Sequence, residues 1–295
     1  MIVETKKIDK LKRKITVDVR GDEFLKEKNE LYGKYKKTLK VPGFRPGSAP
    51  MEVIERHHSK TLKEKLLDDL LPVFYRKALE ENKILPASMP KVSDIELASE
   101  SLKFSAEFEI RPEVEIKESS YKGIKVKEKK VKIEAVDIEK VITNIKDGIK
   151  KVYEKELDDN ELAKWASYPD LDSFRKAIEA QLFVEKTRER RQDIDSQIRT
   201  NLLKSVDLEL PSSEIARHHQ ELVDRQMHNL QHRGLASEDI EKYKAEMEEK
   251  LKPVAADEVK LFYILEAVAK AQGLKIDNNL GEVALGYILN QAVYK

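Results

Sequence analysis

The 295-residue chain is 38% charged, 40% hydrophobic and only 6% aromatic, with a net charge of +1 and no cysteine. Such a length calls for more than one domain, and so much charge fits helices with a large exposed surface better than one spherical core. The missing thiol excludes disulfide staples, Cys-ligated zinc and thiol catalysis, and no apolar run approaches the roughly eighteen residues of a membrane span.

The first residues, charged from Glu4 onward, lack the apolar region of a signal peptide, so a soluble, cytoplasmic protein without membrane partners is expected. Charge is uneven along the chain. Residues 1–112 hold 24 Lys/Arg against 19 Asp/Glu, while residues 113–295 hold 32 against 36. A basic front end favours an anionic partner.

Residues 13–20 alternate, with Ile15, Val17 and Val19 on one face, which predicts a half-buried strand. Phe24, Leu31, Tyr35 and Leu39 then mark a helix over 22–39. Residues 41–50 read Val-Pro-Gly-Phe-Arg-Pro-Gly-Ser-Ala-Pro. Three prolines and two glycines forbid a regular element and predict a short, stiff loop with Phe44 and Arg45 at its tip. No acidic residue lies between Glu30 and Glu52, whereas Lys34, Lys36, Lys37, Lys40 and Arg45 do. An Arg on a rigid loop suits phosphate or carboxylate contacts.

A Leu-rich helix follows from Pro50, striped by Leu62, Leu66 and Leu70, with a bend expected at Pro72. Leu102, Phe104, Ala106, Phe108 and Ile110 predict a second strand. The expected unit is a small α+β layer over 1–112, with helices on one face of an antiparallel sheet. Residues 113–150 read as a lysine-rich extended linker and a connecting helix from about 136. Residues 151–295 read as an elongated, all-helical domain with projecting arms. Its helices are expected at Asp170 onward, at Pro211 onward until Arg233-Gly234-Leu235, at 237–251, and at 256–271 with Gly273 closing it. The stretch from Glu185 to Asp195 is nearly all polar and is expected to leave any core. Trp165, the single tryptophan, is expected to pack the start of this domain.

Catalytic constellations are lacking. There is no Gly-x-Gly-x-x-Gly, Walker loop or Gly-x-Ser-x-Gly. His228 and His232 stand four apart, with His218 ten before, but their neighbours are those of a wet surface, so no metal is expected. No cofactor and no catalytic residue are assigned.

Gly43, Phe44, Arg45, Gly47 and Pro50 match the pattern Gly-Phe-Arg-x-Gly-x-x-Pro, and the order of strand, helix, loop, Leu-rich helix and strand ending in Phe-Glu-Ile-Arg-Pro-Glu-Val (108–114) surrounds it. In these features the chain resembles the trigger factor family of bacterial ribosome-associated chaperones. Glu156-Leu157-Asp158-Asp159 and Leu208-Glu209-Leu210-Pro211 resemble the family's C-terminal chaperone domain. The resemblance implies an ATP-independent chaperone that docks on the large ribosomal subunit beside the nascent-chain exit and shields unfolded or newly made polypeptides. It implies that Phe44 and Arg45 are the central ribosome contacts, with Lys40, Gly43, Pro46, Gly47 and Pro50 shaping or supporting the loop. The family often carries a basic residue where this chain has Pro46.

Two departures stand out. The family usually inserts a prolyl isomerase domain, but residue 151 passes almost directly to Glu156, so a non-enzymatic form lacking that domain is expected. The final arm also looks short, with Asn278-Asn279-Leu280-Gly281 as an abrupt join. Alternatives are a prolyl isomerase chaperone whose catalytic domain lies outside this chain, an envelope-type helical holdase, and an RNA-binding or structural helical protein. Holdase action needs dispersed apolar side chains among polar ones. Met227, Leu230, Met247, Tyr287, Ile288 and Leu289 are the candidate client contacts, and homodimerisation is expected to cover exposed apolar surface when no client is bound.

Overall fold

The computed structural model describes the chain except Lys40, Pro46, 233–236 and 276–278, and except the side chains of 237–242. In chain order its elements are β1 (Ile2–Lys7), β2 (Lys12–Arg20), α1 (Asp22–Thr38), α2 (Met51–Glu81), β3 (Lys91–Leu97), β4 (Ser101–Glu109), β5 (Lys125–Val126), α3 (Ala135–Tyr153), α4 (Asp159–Trp165), α5 (Leu171–Ser205), α6 (Ser212–His232), α7 (Ser237–Ala271), α8 (Leu280–Asn290) and β6 (Val293–Tyr294). Contacts sort the chain into two units that are each discontinuous in sequence. Residues 1–114 group with 208–260, and 115–207 group with 261–295.

In the first unit, four antiparallel strands run in the order β1-β2-β4-β3. Ile15, Val17 and Val19 lie opposite Ala106, Phe104 and Leu102, so one face of the central pair is continuous hydrocarbon. Phe24 and Tyr35 of α1 and Leu62, Leu66, Leu70 and Phe74 of α2 close that face into a core. The expected α+β layer is therefore present. Two strands carried no legible signal. β1 is exposed at almost every position, and β3 has a register shift between Ser93 and Glu96, with Asp94 at φ +53°. Neither alternates, because neither buries one clean face.

Pro72 does not break the helix. Backbone angles leave the helical region at His58 instead, at φ −126° and ψ 26°. Pro72 and Asp68 both face solvent, so the carbonyl that loses its donor meets water and the helix runs on. The same holds at Pro253. The two helices expected at 237–251 and 256–271 form one helix, α7, with Pro253 and Glu249 exposed. The helix end expected at 233–235 lies outside the described residues. Within this unit α7 returns alongside α6: His218 Nε2 meets Glu258 Oε2 at 2.6 Å, and His219 Nε2 meets the Glu248 carbonyl at 2.7 Å.

In the second unit α5 serves two separate cores. Phe174 and Ile178 pack with Ile142 and Ile149 of α3 and Leu162 of α4. Ile194, Ile198 and Leu202 pack with Tyr121, Val126, the end of α7 and α8. No α5 residue between Ile178 and Ile194 is buried. At 1.5 Å per residue, the two anchors stand roughly 24 Å apart along the helix. Glu185 to Asp193 leaves both cores, whereas Ile194, inside the stretch expected to project, is anchored in the second.

Residues 115–128, read from the sequence as extended linker, contribute to a core. Tyr121, Ile124 and Val126 are buried, and β5 pairs in parallel with β6. Gln197 of α5 completes the pairing: its amide donates to the Lys127 carbonyl and accepts from the Lys127 N–H. At the end of α7, Leu274 N–H bonds the Ala269 carbonyl at 2.9 Å, with Gly273 closing the helix as expected.

Candidate functional site

The 41–50 loop is two successive Pro-Gly turns. The Phe44 N–H donates to the Val41 carbonyl at 3.2 Å, with Gly43 at φ +84° in the third position. The Ser48 N–H then donates to the Arg45 carbonyl at 3.0 Å, with Gly47 at φ +87°. Proline second and glycine third is the chemistry of a type II turn, because only glycine takes the positive φ without strain. Open space surrounds the position of a Cβ at either glycine, so the demand is conformational rather than steric. Phe44 and Arg45 sit at the junction of the turns.

A small core of its own fixes this loop. Val41 and Ala49, at its two ends, are buried against Ile54 of α2, with Leu39, Met51 and Val53 around them. Pro50 starts α2, and its carbonyl accepts from Val53 and Ile54. Apolar residues hold the loop from beneath, and the tip is left open. Phe44 is 42% exposed, and among the described residues no carboxylate pairs with Arg45. Lys34 and Lys37 of α1 are exposed nearby in sequence, which keeps the surroundings basic. Lys40 and Pro46 lie outside the described residues.

The client candidates divide. Met227, Leu230 and Met247 are half-buried. Ile288 is fully buried in the core between α5, α7 and α8 and is a packing residue, not a surface contact. Tyr287 and Leu289 are half-buried against that core, and the Tyr287 hydroxyl donates to Gln272 Oε1 at 2.7 Å. An apolar α8 gave no signal for distinguishing the two roles.

Trp165 also departs from expectation. It is 53% exposed, edge-on to Tyr153 with ring centroids 6.2 Å apart. Leu162 and Ala163 hold the buried face of this two-turn helix and leave the indole outside. The histidines do not converge. His228 and His232 touch ring to ring at 4.4 Å, whereas His218 turns to Glu258. Among the described residues no group of three or more metal-ligating side chains exists.

A further polar feature escaped the sequence. Glu109, at the end of β4, is buried, and its carboxylate accepts from Ser212 Oγ at 2.7 Å, from the Ser213 N–H at 2.8 Å and from Ser213 Oγ. The carboxylate thus caps the first turn of α6 from 103 residues away. Burial pushes its pKa up, but the bonds from Ser213 and Ser212 outweigh that and hold the carboxyl below its usual range. Nothing local in the sequence could have announced it.

These features define an α+β layer that presents a stiff Phe-Arg loop, with long helices following. The model for "Bacterial trigger factor protein (TF)" matches residues 1–145, and that for its C-terminus matches residues 170–281. The chain belongs to the trigger factor family. Among curated relatives, the trigger factor of Koribacter versatilis is 33% identical over 141 residues, 48% of this chain and 32% of that protein. The trigger factor of Natranaerobius thermophilus is 36% identical over 135 residues, 45% and 30% of the two chains. The chain thus matches about a third of the length of these relatives. A solved structure of the trigger factor chaperone, reported for promiscuous substrate recognition in folding and assembly, superposes with a TM-score of 0.57. It covers 99% of this chain and 100% of that one at 15% identity, a likeness of fold.

Proposed function

We propose that this protein is an ATP-independent chaperone that docks on the large ribosomal subunit near the nascent-chain exit and shields unfolded polypeptides. The observation that carries the reading is the pair of Pro-Gly turns holding Phe44 and Arg45 outward on a loop packed from beneath by Val41, Ala49 and Ile54. A ring and a fixed guanidinium suit a surface of rRNA phosphates and protein side chains. Lys40, Gly43, Pro46, Gly47 and Pro50 belong to the same docking site. The segments proposed are a ribosome-binding domain over 1–112, a linker and connecting helix over 113–150, and a helical substrate-binding domain over 151–295.

The chain is proposed to lack prolyl isomerase activity. The two family matches leave residues 146–169 between them, a stretch occupied by the end of α3 and by α4. A protease-coupled proline-peptide assay is expected to give the uncatalysed rate. A cytoplasmic location and homodimerisation complete the reading, and sedimentation velocity measures the latter. Among the described residues no helix is long and apolar enough to cross a membrane.

Pelleting with ribosomes tests the docking step. Phe44, Arg45 and Pro46 replaced together by Ala are expected to abolish most cosedimentation while circular dichroism stays unchanged. Raised salt is expected to weaken the intact chain's binding. Undiminished pelleting of the triple variant rejects the loop as the docking site.

A further inference from the structure

The sheet of the first unit ends on two unlike edges. β3 is broken by the register shift between Ser93 and Glu96, with Asp94 at φ +53°, a device that keeps a further strand from adding. β1 has neither bulge nor proline, and its six residues pair with β2 in one continuous register. The phase of its hydrogen bonds follows from the flanking bonds of β2. The Ile110 N–H donates to the Leu11 carbonyl at 2.8 Å, and the Ile8 N–H donates to the Lys12 carbonyl at 3.0 Å. Odd-numbered residues of β2 therefore bond β4, and even-numbered ones bond Ile2, Glu4 and Lys6 of β1. The N–H and C=O groups of Val3, Thr5 and Lys7 point off the edge, and among the described residues nothing bonds them.

The side chains along this edge are complementary to their own reverse. Ile2, Glu4, Lys6 and Ile8 share the sheet face away from α1 and α2, at a period of two. Ile2 is 63% exposed and Ile8 48%. Among the described residues neither Glu4 nor Lys6 has an ion-pair partner, and Lys6 lies opposite Lys14, whose own carboxylates are Asp94 and Glu107. An antiparallel copy of β1 centred on Thr5 sets Ile2 against Ile8 and Glu4 against Lys6, each twice. The same centring brings Val3 against Lys7 and Thr5 against Thr5, so the outward backbone groups meet as hydrogen-bonded pairs. Sliding by one residue puts outward groups against inward ones. Sliding by two sets Glu4 against Glu4 or Lys6 against Lys6, which repel. Backbone phase and charge thus choose the same register.

We propose that β1 is a self-complementary edge through which two copies of this chain join across a two-fold axis at Thr5, making one continuous sheet of two four-stranded ones. The proposal rests on the homodimer reading and assigns its interface. Edge charges of one sign repel every added strand; those of β1 carry both signs and so admit one register. So short an edge buries little area, which makes the dimer weak and dependent on concentration.

Sedimentation velocity of the full chain over a range of concentrations tests it, with circular dichroism to confirm that each variant is folded. Glu4→Lys and Lys6→Glu, both at exposed positions, each set like charges opposite one another twice across the two-fold. Each is expected to weaken self-association about tenfold. An equimolar mixture of the two variants is expected to associate as tightly as the intact chain, because every cross-strand pair is then opposite in sign. The double variant Glu4→Lys with Lys6→Glu is expected to do the same alone. Thr5→Cys checks the register. With no other cysteine in the chain, mild oxidation is expected to link two copies, since facing residues of a hydrogen-bonded pair stand about 5.5 Å apart. Lys7→Cys, which faces Val3 rather than itself, is expected to link more slowly. A mixture that fails to restore association, or Thr5→Cys linking no faster than Lys7→Cys, overturns the proposal. Self-association indifferent to the charge changes also overturns it and moves the dimer to another surface. A chain that is monomeric at every concentration overturns it together with the homodimer reading.

Discussion

On the reading proposed above, the 41–50 loop and the exposed surfaces of the helices serve recognition by opposite means. The loop concentrates its contact in two side chains, Phe44 and Arg45, and spends the rest of its sequence on fixing them: two Pro-Gly turns above and a three-residue core beneath. The helical surfaces are proposed to spread theirs over half-buried Met227, Leu230 and Met247, with no turn devoted to any one of them. A point contact demands precision, and precision leaves special residues in the sequence. A diffuse apolar surface demands only composition. The loop is therefore expected to be fragile to single changes and the helical surfaces tolerant of them.

The largest effect is expected at Ile54, which cannot touch a partner because it is fully buried. Ile54→Ala removes the peg under both ends of the loop and is expected to cost about 2–5 kcal/mol in denaturant unfolding. It should also weaken ribosome pelleting, although Phe44 and Arg45 remain. Normal pelleting would show that the loop's small core is dispensable.

Glu109 is next. Glu109→Ala removes a charged cap from α6 and leaves Ser212 and Ser213 unpaired, for an expected loss of about 1.5–3 kcal/mol. The pH dependence has a definite sign. A carboxyl whose folded pKa is depressed stabilises the fold above its unfolded value, near the ordinary 4.5, and that contribution is lost as pH falls through the lower folded value. Glu109→Gln should accordingly lower stability at neutral and alkaline pH, where the carboxylate contributes, and flatten the fall on the acid side. The same bonds bear on dissection: a fragment of 113–295 would lose the cap that β4 places on α6, so function is better separated by substitution than by truncation.

Gly43→Ala and Gly47→Ala test the turns themselves. Each forces a side chain into positive φ, at about 1–2 kcal/mol, with no clash to relieve. Pelleting is expected to fall more than the melting temperature does. The smallest effects belong to the helical surfaces. Alanine at Met227, Leu230 or Met247 singly is expected to shift stability by about 0.5 kcal/mol or less and to change aggregation protection less than twofold. A large loss from any one of them would contradict the diffuse surface.

This contrast also explains what the sequence disclosed. The strands at 13–20 and 102–110 were legible because each buries one face, so period two is written into Ile15, Val17 and Val19. β1 and β3 were not, since one is an exposed edge and the other is broken at Asp94. The loop was legible because turns need proline and glycine at fixed positions. Its core partner Ile54 was only one more apolar residue in a helix. Pro72 and Pro253 do not break their helices, because the cost of a missing donor depends on whether water can reach the freed carbonyl, and Asp68 and Glu249 are both exposed. Glu109 and Ser213 were invisible as a pair because their meeting depends on the tertiary fold. Ile288 and Trp165 exchanged their expected environments for the same reason: apolar character fixes neither burial nor exposure.

The central claim is that docking and client protection reside in different regions of one molecule. The most direct measurement takes the Phe44, Arg45 and Pro46 alanine variant and records ribosome pelleting and protection of an unfolded client from aggregation on the same preparation. Pelleting is expected to be lost while protection stays within about twofold of the intact chain. A variant that remains folded yet loses both together would contradict the account.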